Sequence, residues 1–325
     1  MFRFLLAVGL FVSAAQAAEQ VHYVSDDIVR LPGAKKITPV MGNSLLDEDC
    51  KAKIKEIVCV VEAGGHGEER PCEAGSEKYA SIFERIHDRL PEYLQKMYCR
   101  VSKIYIEKEL RSTAYAAPWN SAIGIRQSLL DEKLTFAEWA TWKEQLTFGG
   151  SLDSYATKEQ LPTFVSNGTH EDFVMNVVIH EFGHLFDFAN ELNGQWTVEK
   201  GSYAALSWKT LMLPLPGVDF PNRREICFYD CEDHPVKESL VETIYNDLYT
   251  KTNFLNTYTS RNAREDFADT FAFVVSYQLT PDLSYILETR KGKAFDFKQE
   301  LAAERMKTKV KYISDFIAKD NLQYP

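Results

Sequence analysis

The sequence predicts an α+β protein with a small mixed β-sheet, a helix backing that sheet and a mostly helical C-terminal half. Two observations support this class. Three short apolar, β-rich segments occur within residues 53–126, and a helical segment separates the first from the second. After residue 135, apolar residues recur mainly at helical spacing.

The N-terminal elements follow in chain order. Residues 53–62 (KIKEIVCVVE) have an apolar, β-rich centre and predict a strand. Residues 76–98 carry apolar side chains at helical spacing and predict a helix despite Pro91. Residues 101–106 and 121–126 predict two more strands.

Helices dominate the later elements. Residues 135–146 predict an amphipathic helix, and residues 171–192 predict a helix whose nearly all-apolar interior places it in the core. Residues 194–236 are rich in Gly, Pro and aromatic residues and predict a long excursion. Further helical segments are expected at about 237–250, 263–278, 281–291 and 297–319.

The N-terminus is typical of a secretory signal peptide. Arg3 precedes the apolar run 4–12, and residues 15–17 (AQA) form a small-residue cleavage site. The run is about half the length that a membrane crossing needs. We therefore expect cleavage after Ala17 and a secreted or periplasmic product.

The remaining chain is expected to form one folded domain. Residues 18–49 are polar and irregular and predict a leader on the surface, and residues 50–325 form the domain. The formal net charge is −10. An acidic chain repels nucleic-acid phosphates and anionic membranes, so neither is an expected partner. We expect a monomer.

The cysteines predict disulfides, because an exported chain with an even number of them favours pairing. The expected pairs are Cys59–Cys72, which joins a strand to the following loop, and Cys227–Cys231, which closes a small loop. Elimination leaves Cys50–Cys99. Free buried thiols are the alternative. A zinc-thiolate site is disfavoured, since there are no paired Cys-x2-Cys knuckles.

The stretch HEFGHLFDF (residues 180–188) carries the main chemical signal. His180 and His184 are one helical turn apart, so both imidazoles can face one metal ion. Zn²⁺ accepts two nitrogens and a carboxylate oxygen and leaves a fourth position for water, whose pKa it lowers. Glu181 lies where it can deprotonate that water. Gly183 keeps the helix slim where it packs against a neighbour.

The alternative is an ordinary helix that carries two histidines. The surrounding run is apolar, so the imidazoles and the carboxylate of Glu181 are expected to be buried. Burying such groups without partners is costly, and a metal ion offsets that cost. The burial favours a metal site.

A third ligand is expected from a separate helix. Glu265 and Asp269 are one turn apart beside apolar residues, so Glu265 can reach the ion while Asp269 accepts a hydrogen bond from a ligand imidazole. The alternative is a solvated acidic first turn, which suits Glu265 but not Asp269. Glu238 and Glu242 are alternative third ligands.

Two motifs carry a family resemblance. HEFGHLFD (180–187) and YTSRNAREDFADTF (258–271) resemble the catalytic domain of anthrax lethal factor and the related Pro-Pro endopeptidases, which are zinc metallopeptidases of the gluzincin class. The resemblance covers about the last two-thirds of the chain and is specific at these motifs. It implies a zincin-like fold and a peptide or protein substrate.

The resemblance also assigns residues. Asp187 matches an Asp three positions after the second motif histidine, and Tyr258 precedes Glu265 by the family's seven positions. Asp269 stands where the family has a second Glu. The excursion between the motifs departs from the family, so the cleft can be shaped differently. Asp187 and Asp269 are expected to contact the metal ligands rather than the metal.

Tyr258 would donate a hydrogen bond to the oxyanion that develops in the transition state, as the resemblance implies and as a phenol near a metal can do. The alternatives are an interface aromatic and a different donor, His234. An extended substrate is expected to add to an edge strand beside the motif helix, with residues 121–126 as the candidate.

The expected function is a secreted zinc metalloendopeptidase with one Zn²⁺ per chain. His180, His184 and Glu265 bind the metal, and Glu181 and Tyr258 are catalytic. Two alternatives remain. One is a catalytically inactive binding module that retains the fold, which the presence of Glu181 disfavours. The other is a zinc hydrolase of a non-peptide substrate.

Overall fold

The computed structural model describes residues 23–25, 28–29, 38–45, 49–62, 71–151, 155, 161–229 and 236–325. The expected signal peptide, most of the expected leader, Cys231 and His234 lie outside these residues.

Short strands build four small sheets in the described part of the chain. The strands are β1 (Tyr23–Ser25), β2 (Ile28–Val29), β3 (Val40–Met41), β4 (Val58–Val61), β5 (Lys103–Glu107), β6 (Ala114–Ala117), β7 (Ala122–Arg126), β8 (Thr163–Ser166), β9 (Trp208–Thr210), β10 (Leu213–Pro214), β11 (Tyr285–Glu288), β12 (Ala294–Asp296) and β13 (Gln323–Tyr324).

Helices account for the largest share of the regular structure. They are α1 (Ile54–Ile57), α2 (Ser76–Arg89), α3 (Glu92–Gln95), α4 (Met97–Arg100), α5 (Gln127–Asp131), α6 (Phe136–Leu146), α7 (His170–Asn190), α8 (Glu238–Lys251), α9 (Ala263–Leu279), α10 (Phe297–Ala302) and α11 (Lys307–Ile317). The predicted α+β class is confirmed.

The main sheet has the strand order β1-β2-β6-β7-β5-β4. Strands β4, β5 and β7 are parallel, whereas β6 runs antiparallel to β7 and contacts α7. The prediction that residues 121–126 form an edge strand is wrong, because β7 is paired on both sides. Strand β6 contacts α7 instead, and its outer edge pairs with β2 at Ala116.

Helices α7 and α9 pack against each other in the core of the molecule. A Cβ atom on Gly183 would lie 3.1 Å from the Cα atom of Ala268, which is tighter than nine in ten real Cβ contacts. Glycine therefore allows the two helix backbones to approach closely at this point. This agrees with the role predicted for Gly183.

Capping residues set where the site helices begin. Helix α7 starts with a capping box, in which Thr169 and Asp172 bond each other's backbone N–H groups. Asn262 caps α9 by accepting hydrogen bonds from the backbone N–H groups of Arg264 and Glu265. These caps therefore fix the residue at which each helix begins.

Several predicted elements differ from the structure. Residues 53–62 begin as α1 and become β4 only at Val58, and the helix predicted at 76–98 ends at Arg89, before Pro91. A helix was expected at 281–291, but this segment contains β11. Tyr285 and Leu287 are buried in alternation with Ile286 and Glu288, which is a strand period, and β11 pairs with β8 and β12.

Two of the predicted disulfides are present, Cys50–Cys99 and Cys59–Cys72, and the second joins β4 to the loop after it. Cys227 is also disulfide-bonded, and its expected partner Cys231 lies outside the described residues. Among the described helices, none has the length and apolar character that crossing a bilayer requires.

Candidate metal centre

The middle of α7 supplies two imidazoles to the centre of the molecule. His180 and His184 are 7% and 1% exposed, and their Nε2 atoms are 3.2 Å apart. The spacing of four residues places both rings on the face of α7 that packs against α9.

The first turn of α9 supplies a carboxylate to the same point. Glu265 is fully buried, and its Oε2 atom lies 3.2 Å from His184 Nε2 and 3.3 Å from His180 Nε2. The three residues form a buried cluster that could bind a metal ion. Glu242 lies on α8 outside this cluster, and the side chain of Glu238 is not among the described ones.

The spacing of the three atoms fits a tetrahedral ion. Zinc bonds of about 2.0–2.1 Å place neighbouring ligand atoms of a tetrahedron roughly 3.3–3.4 Å apart. The observed separations are 3.2–3.3 Å. Three atoms that point their lone pairs at one another from this distance repel one another unless protons or a cation lie between them. Three protein ligands also leave a fourth position free, as in catalytic sites.

A hydrogen-bonded carboxylate holds one of the imidazoles. Asp269 Oδ1 lies 3.1 Å from His180 Nδ1. A carboxylate can only accept, so Nδ1 is the donor, and in the neutral ring that a metal ion requires the lone pair of Nε2 would face the cluster. Asn256 in turn donates from Nδ2 to Asp269 Oδ2. Asn256 was not predicted, because nothing local in the sequence links it to α9.

Charged neighbours keep these carboxylates ionised. Burial opposes ionisation of Asp269, but the charge of Lys143 and the hydrogen bonds from His180 and Asn256 outweigh it and hold its pKa at about 2. Burial opposes ionisation of Glu265 as well, but both imidazoles hold its pKa well below the usual range. Ionised carboxylates attract a cation to the cluster.

Asp187 occupies a different place from Asp269. It accepts hydrogen bonds from Arg264 Nη1 at 3.0 Å and from the backbone N–H of Asn193 at 2.8 Å. The Arg264 contact joins the end of α7 to the first turn of α9, one residue before Glu265. Asp187 therefore anchors the helix that carries the third ligand of the cluster. His184 Nδ1 has no hydrogen-bond partner among the described residues.

Glu181 is a buried carboxylate beside the cluster. It is 3% exposed, and its Oε2 atom has no hydrogen-bond partner in the described part of the chain. Burial raises the pKa of Glu181 to about 8. Burying a carboxylate oxygen that has no hydrogen-bond partner is costly. Such a carboxylate is well suited to accept a proton.

A cleft reaches this carboxylate, and its empty space of about 290 Å³ includes open solvent. His180, Glu181, Tyr258, Asp269 and Lys143 are among the residues that line it. The ring of Tyr258 lies 6.1 Å from the ring of His180, measured between centroids. Tyr258 belongs to the 3-10 turn Tyr258–Ser260, which directly precedes α9.

Lys143 and Arg261 were also missed by sequence reasoning. Lys143 on α6 has its Nζ atom 4.0 Å from the centroid of the Tyr258 ring and 3.7 Å from Asp269 Oδ1. Arg261 donates from Nη1 to the hydroxyl of Tyr258 at 3.2 Å. A lysine inside an amphipathic helix predicts a solvated face, so only the fold shows that Lys143 lines the cleft.

Comparison with known proteins adds no assignment. No model of a known protein family matches this chain, and no curated protein sequence matches it. The residues of the site and their geometry are therefore the basis for assigning a function.

Asp269→Asn is expected to weaken zinc binding by about 10–100-fold, because an amide holds the His180 imidazole less firmly and supplies no charge. Titration against a zinc-chelating dye measures the affinity. Asp247→Asn on α8, a buried aspartate paired with Lys251, is the control and is expected to bind zinc as the wild type does. An affinity of Asp269→Asn within twofold of wild type would contradict the role given to Asp269.

Proposed function

We propose that the protein is a zinc-dependent metalloendopeptidase with a zincin-like fold. One observation carries the proposal. A buried two-histidine, one-glutamate cluster with tetrahedral spacing lies beside a buried glutamate, Glu181, whose free oxygen has no hydrogen-bond partner among the described residues. A structural metal site does not need such a carboxylate, whereas a hydrolase needs a base.

The donor set suits the expected metal. His180 and His184 would each contribute an Nε2 lone pair, and Glu265 would contribute one carboxylate oxygen. Zinc bound there would supply Lewis acidity, which polarises a substrate carbonyl and makes water more acidic. The protein supplies the remaining steps.

Glu181 is the proposed general base and acid. Its carboxylate takes a proton from the attacking water as the oxygen bonds to the peptide carbonyl carbon. It then delivers that proton to the amide nitrogen as the C–N bond breaks, so the products are a carboxylic acid, which releases its proton to solvent, and an amine. The free oxygen of Glu181 beside the cleft supports this role.

Tyr258 is the proposed donor to the oxyanion. Its ring lines the same cleft as Glu181 and lies beside His180. A hydroxyl that donates to the carbonyl oxygen stabilises charge that is larger in the transition state than in the substrate. The excursion supplies Phe228 and Tyr229, whose rings pack edge-on against Tyr258.

The proposed substrate is an extended chain. Ala114, the first residue of the antiparallel strand β6, and Thr113 before it line the cleft together with residues of α7. Strand β2 pairs with β6 at Ala116, two residues beyond the cleft lining. A peptide that passes beside this end of β6 can bond to its backbone, as extended peptides bind sheet edges elsewhere.

Export is part of the proposal. Disulfides persist in oxidising compartments, and both Cys50–Cys99 and Cys59–Cys72 lie in the folded domain. They support the secreted or periplasmic location that the N-terminal sequence predicts.

The proposal is tested with the purified protein and a mixed peptide library analysed by mass spectrometry. Zinc-loaded protein is expected to cleave peptides, chelator-treated protein to cleave none, and added zinc to restore cleavage. The metal content of each sample is measured alongside. Zinc-loaded protein that leaves the whole library intact would overturn the peptidase proposal.

A further inference from the structure

Tyr258 is held from several sides by neighbouring side chains. Arg261 donates to its hydroxyl oxygen at 3.2 Å, and its guanidinium carbon lies 5.6 Å from the centre of the tyrosine ring. Lys143 lies over the ring at 4.0 Å, while Phe228 and Tyr229 pack against it edge-on. The ring is only 5% exposed.

The bond from Arg261 determines how the phenol can act. A phenol oxygen accepts and donates, and a guanidinium can only donate. The oxygen of Tyr258 therefore accepts from Arg261, and its own proton remains available to another acceptor. A hydroxyl that accepts from a cation is a better donor, because hydrogen bonds in a chain polarise one another.

We propose that Arg261 is a positioning residue, which aims the Tyr258 hydroxyl into the cleft and strengthens it as a donor to the reacting carbonyl oxygen. The proposal rests on the proposed peptidase function, in which Tyr258 contacts the oxyanion. Arg261 acts through Tyr258 and not on the substrate.

The turn that carries Tyr258 has other supports. Thr257 donates to the buried Glu144 at 2.7 Å, and Asn256 accepts from the backbone N–H of Thr259 at 2.8 Å. Arg223 donates to the backbone oxygen of Ser260 at 3.2 Å. The backbone of the turn is thus bonded on several sides, while the bond from Arg261 goes to the tyrosine hydroxyl itself.

Lys143 has a different role from Arg261. Its ammonium group lies over the ring face and 3.7 Å from Asp269 Oδ1, so its charge is directed at the carboxylate that holds His180. It contacts the ring and not the hydroxyl oxygen. The position of the Tyr258 proton therefore depends on Arg261.

Arg223 offers a matched control. Arg223→Gln removes a guanidinium that bonds to the backbone of the same turn but does not bond to the Tyr258 hydroxyl. Arg261→Gln removes the bond to the phenol, and Arg261→Lys restores a charged donor. Tyr258→Phe and the double variant Tyr258→Phe/Arg261→Gln complete a cycle in which an effect exerted through the phenol disappears once the phenol is gone.

The first measurement is steady-state cleavage of a peptide chosen from the library. Arg261→Gln is expected to lower kcat about tenfold or more with KM within twofold, because an interaction made mainly in the transition state is weakened. Arg261→Lys is expected to recover most of the loss, and Arg223→Gln to stay within about twofold of wild type. In the Tyr258→Phe background, Arg261→Gln is expected to have no further effect.

A second measurement does not require cleavage. Inorganic phosphate is a tetrahedral anion, and its Kd for the zinc-loaded protein is measured by calorimetry together with the zinc content of each variant. Arg261→Gln is expected to weaken phosphate binding only when Tyr258 is present, with zinc content unchanged. Arg261→Met, which also lacks a charged donor, gives the same comparison if the glutamine variant does not fold.

Two outcomes would overturn the proposal. One is an Arg261→Gln loss of the same size with and without the Tyr258 hydroxyl, which would mean that Arg261 acts directly. The other is phosphate affinity and kcat of Arg261→Gln equal to wild type. If the wild type cleaves no peptide, the peptidase function fails, and the phosphate cycle still decides whether Arg261 acts through Tyr258.

Discussion

Glu181→Gln is expected to keep its zinc and to lose cleavage by about 10³-fold or more in kcat/KM. Positioned acid–base groups contribute typically about 10²–10⁴-fold, and here one carboxylate serves both proton transfers. Glutamine has the shape of glutamate but cannot accept the proton. Since the carboxylate of Glu181 is not among the three clustered ligand groups, the metal site is expected to survive.

The measurement combines kcat/KM on a library-derived peptide with the zinc content of the same sample. Glu242→Gln is the matched control, because Glu242 also has a buried oxygen with no hydrogen-bond partner among the described residues but lies on α8 outside the cluster. It is expected to cleave at close to the wild-type rate. Cleavage by Glu181→Gln above a tenth of the wild-type rate would reject Glu181 as the base.

Glu265→Gln is expected to lose zinc binding by more than about 100-fold, which exceeds the 10–100-fold typical of a residue that only supports a ligand. An amide oxygen is a neutral and weaker ligand, and two imidazoles alone leave the tetrahedron half complete. Glu265 is fully buried against both histidines, so no solvent-exposed carboxylate can easily replace it.

Thermal unfolding gives an independent measure of this loss. A ligand present at 100 times its Kd stabilises the folded state by about 2.7 kcal/mol. Added zinc is therefore expected to raise the Tm of the chelator-treated wild type and to leave the Tm of Glu265→Gln unchanged. If the variant binds one zinc and shows the same shift, the third ligand lies elsewhere, with Glu238 and Glu242 as the next residues to test.

The metal cluster is the part of the site that local sequence pattern predicts best. His180 and His184 share a helix face through a spacing of four residues, and helical geometry alone places them together. Glu265 was selected because Asp269 follows it by one turn in an apolar context. The cluster of these three residues in the structure supports that selection. Each of these inferences needed only the period of one helix.

Elements whose neighbours decide their structure were predicted less well. Residues 121–126 are a strand, as predicted, but whether a strand lies at an edge depends on partners from distant segments, here β5 and β6. The helix expected at 281–291 is strand β11, because pairing with β8 and β12 satisfies its backbone in a sheet. A short apolar segment is compatible with either structure until its partners are known.

By itself, the sequence determined that His180, His184 and Glu265 could share one metal ion, because this follows from helical period and residue chemistry. It also predicted Glu181 as the base, and it predicted two of the disulfide pairs from cysteine spacing and elimination. Tertiary structure decided that Asn256 bonds Asp269, that Lys143 and Arg261 flank Tyr258, and that a Glu181 oxygen has no hydrogen-bond partner among the described residues. Period relates residues along a single α-helix, whereas the contacts of Asn256 and Lys143 join groups from separate segments, and Arg261 reaches Tyr258 across the 3-10 turn before α9. Only the packing of those segments around α7 brings the groups within a few ångströms of one another.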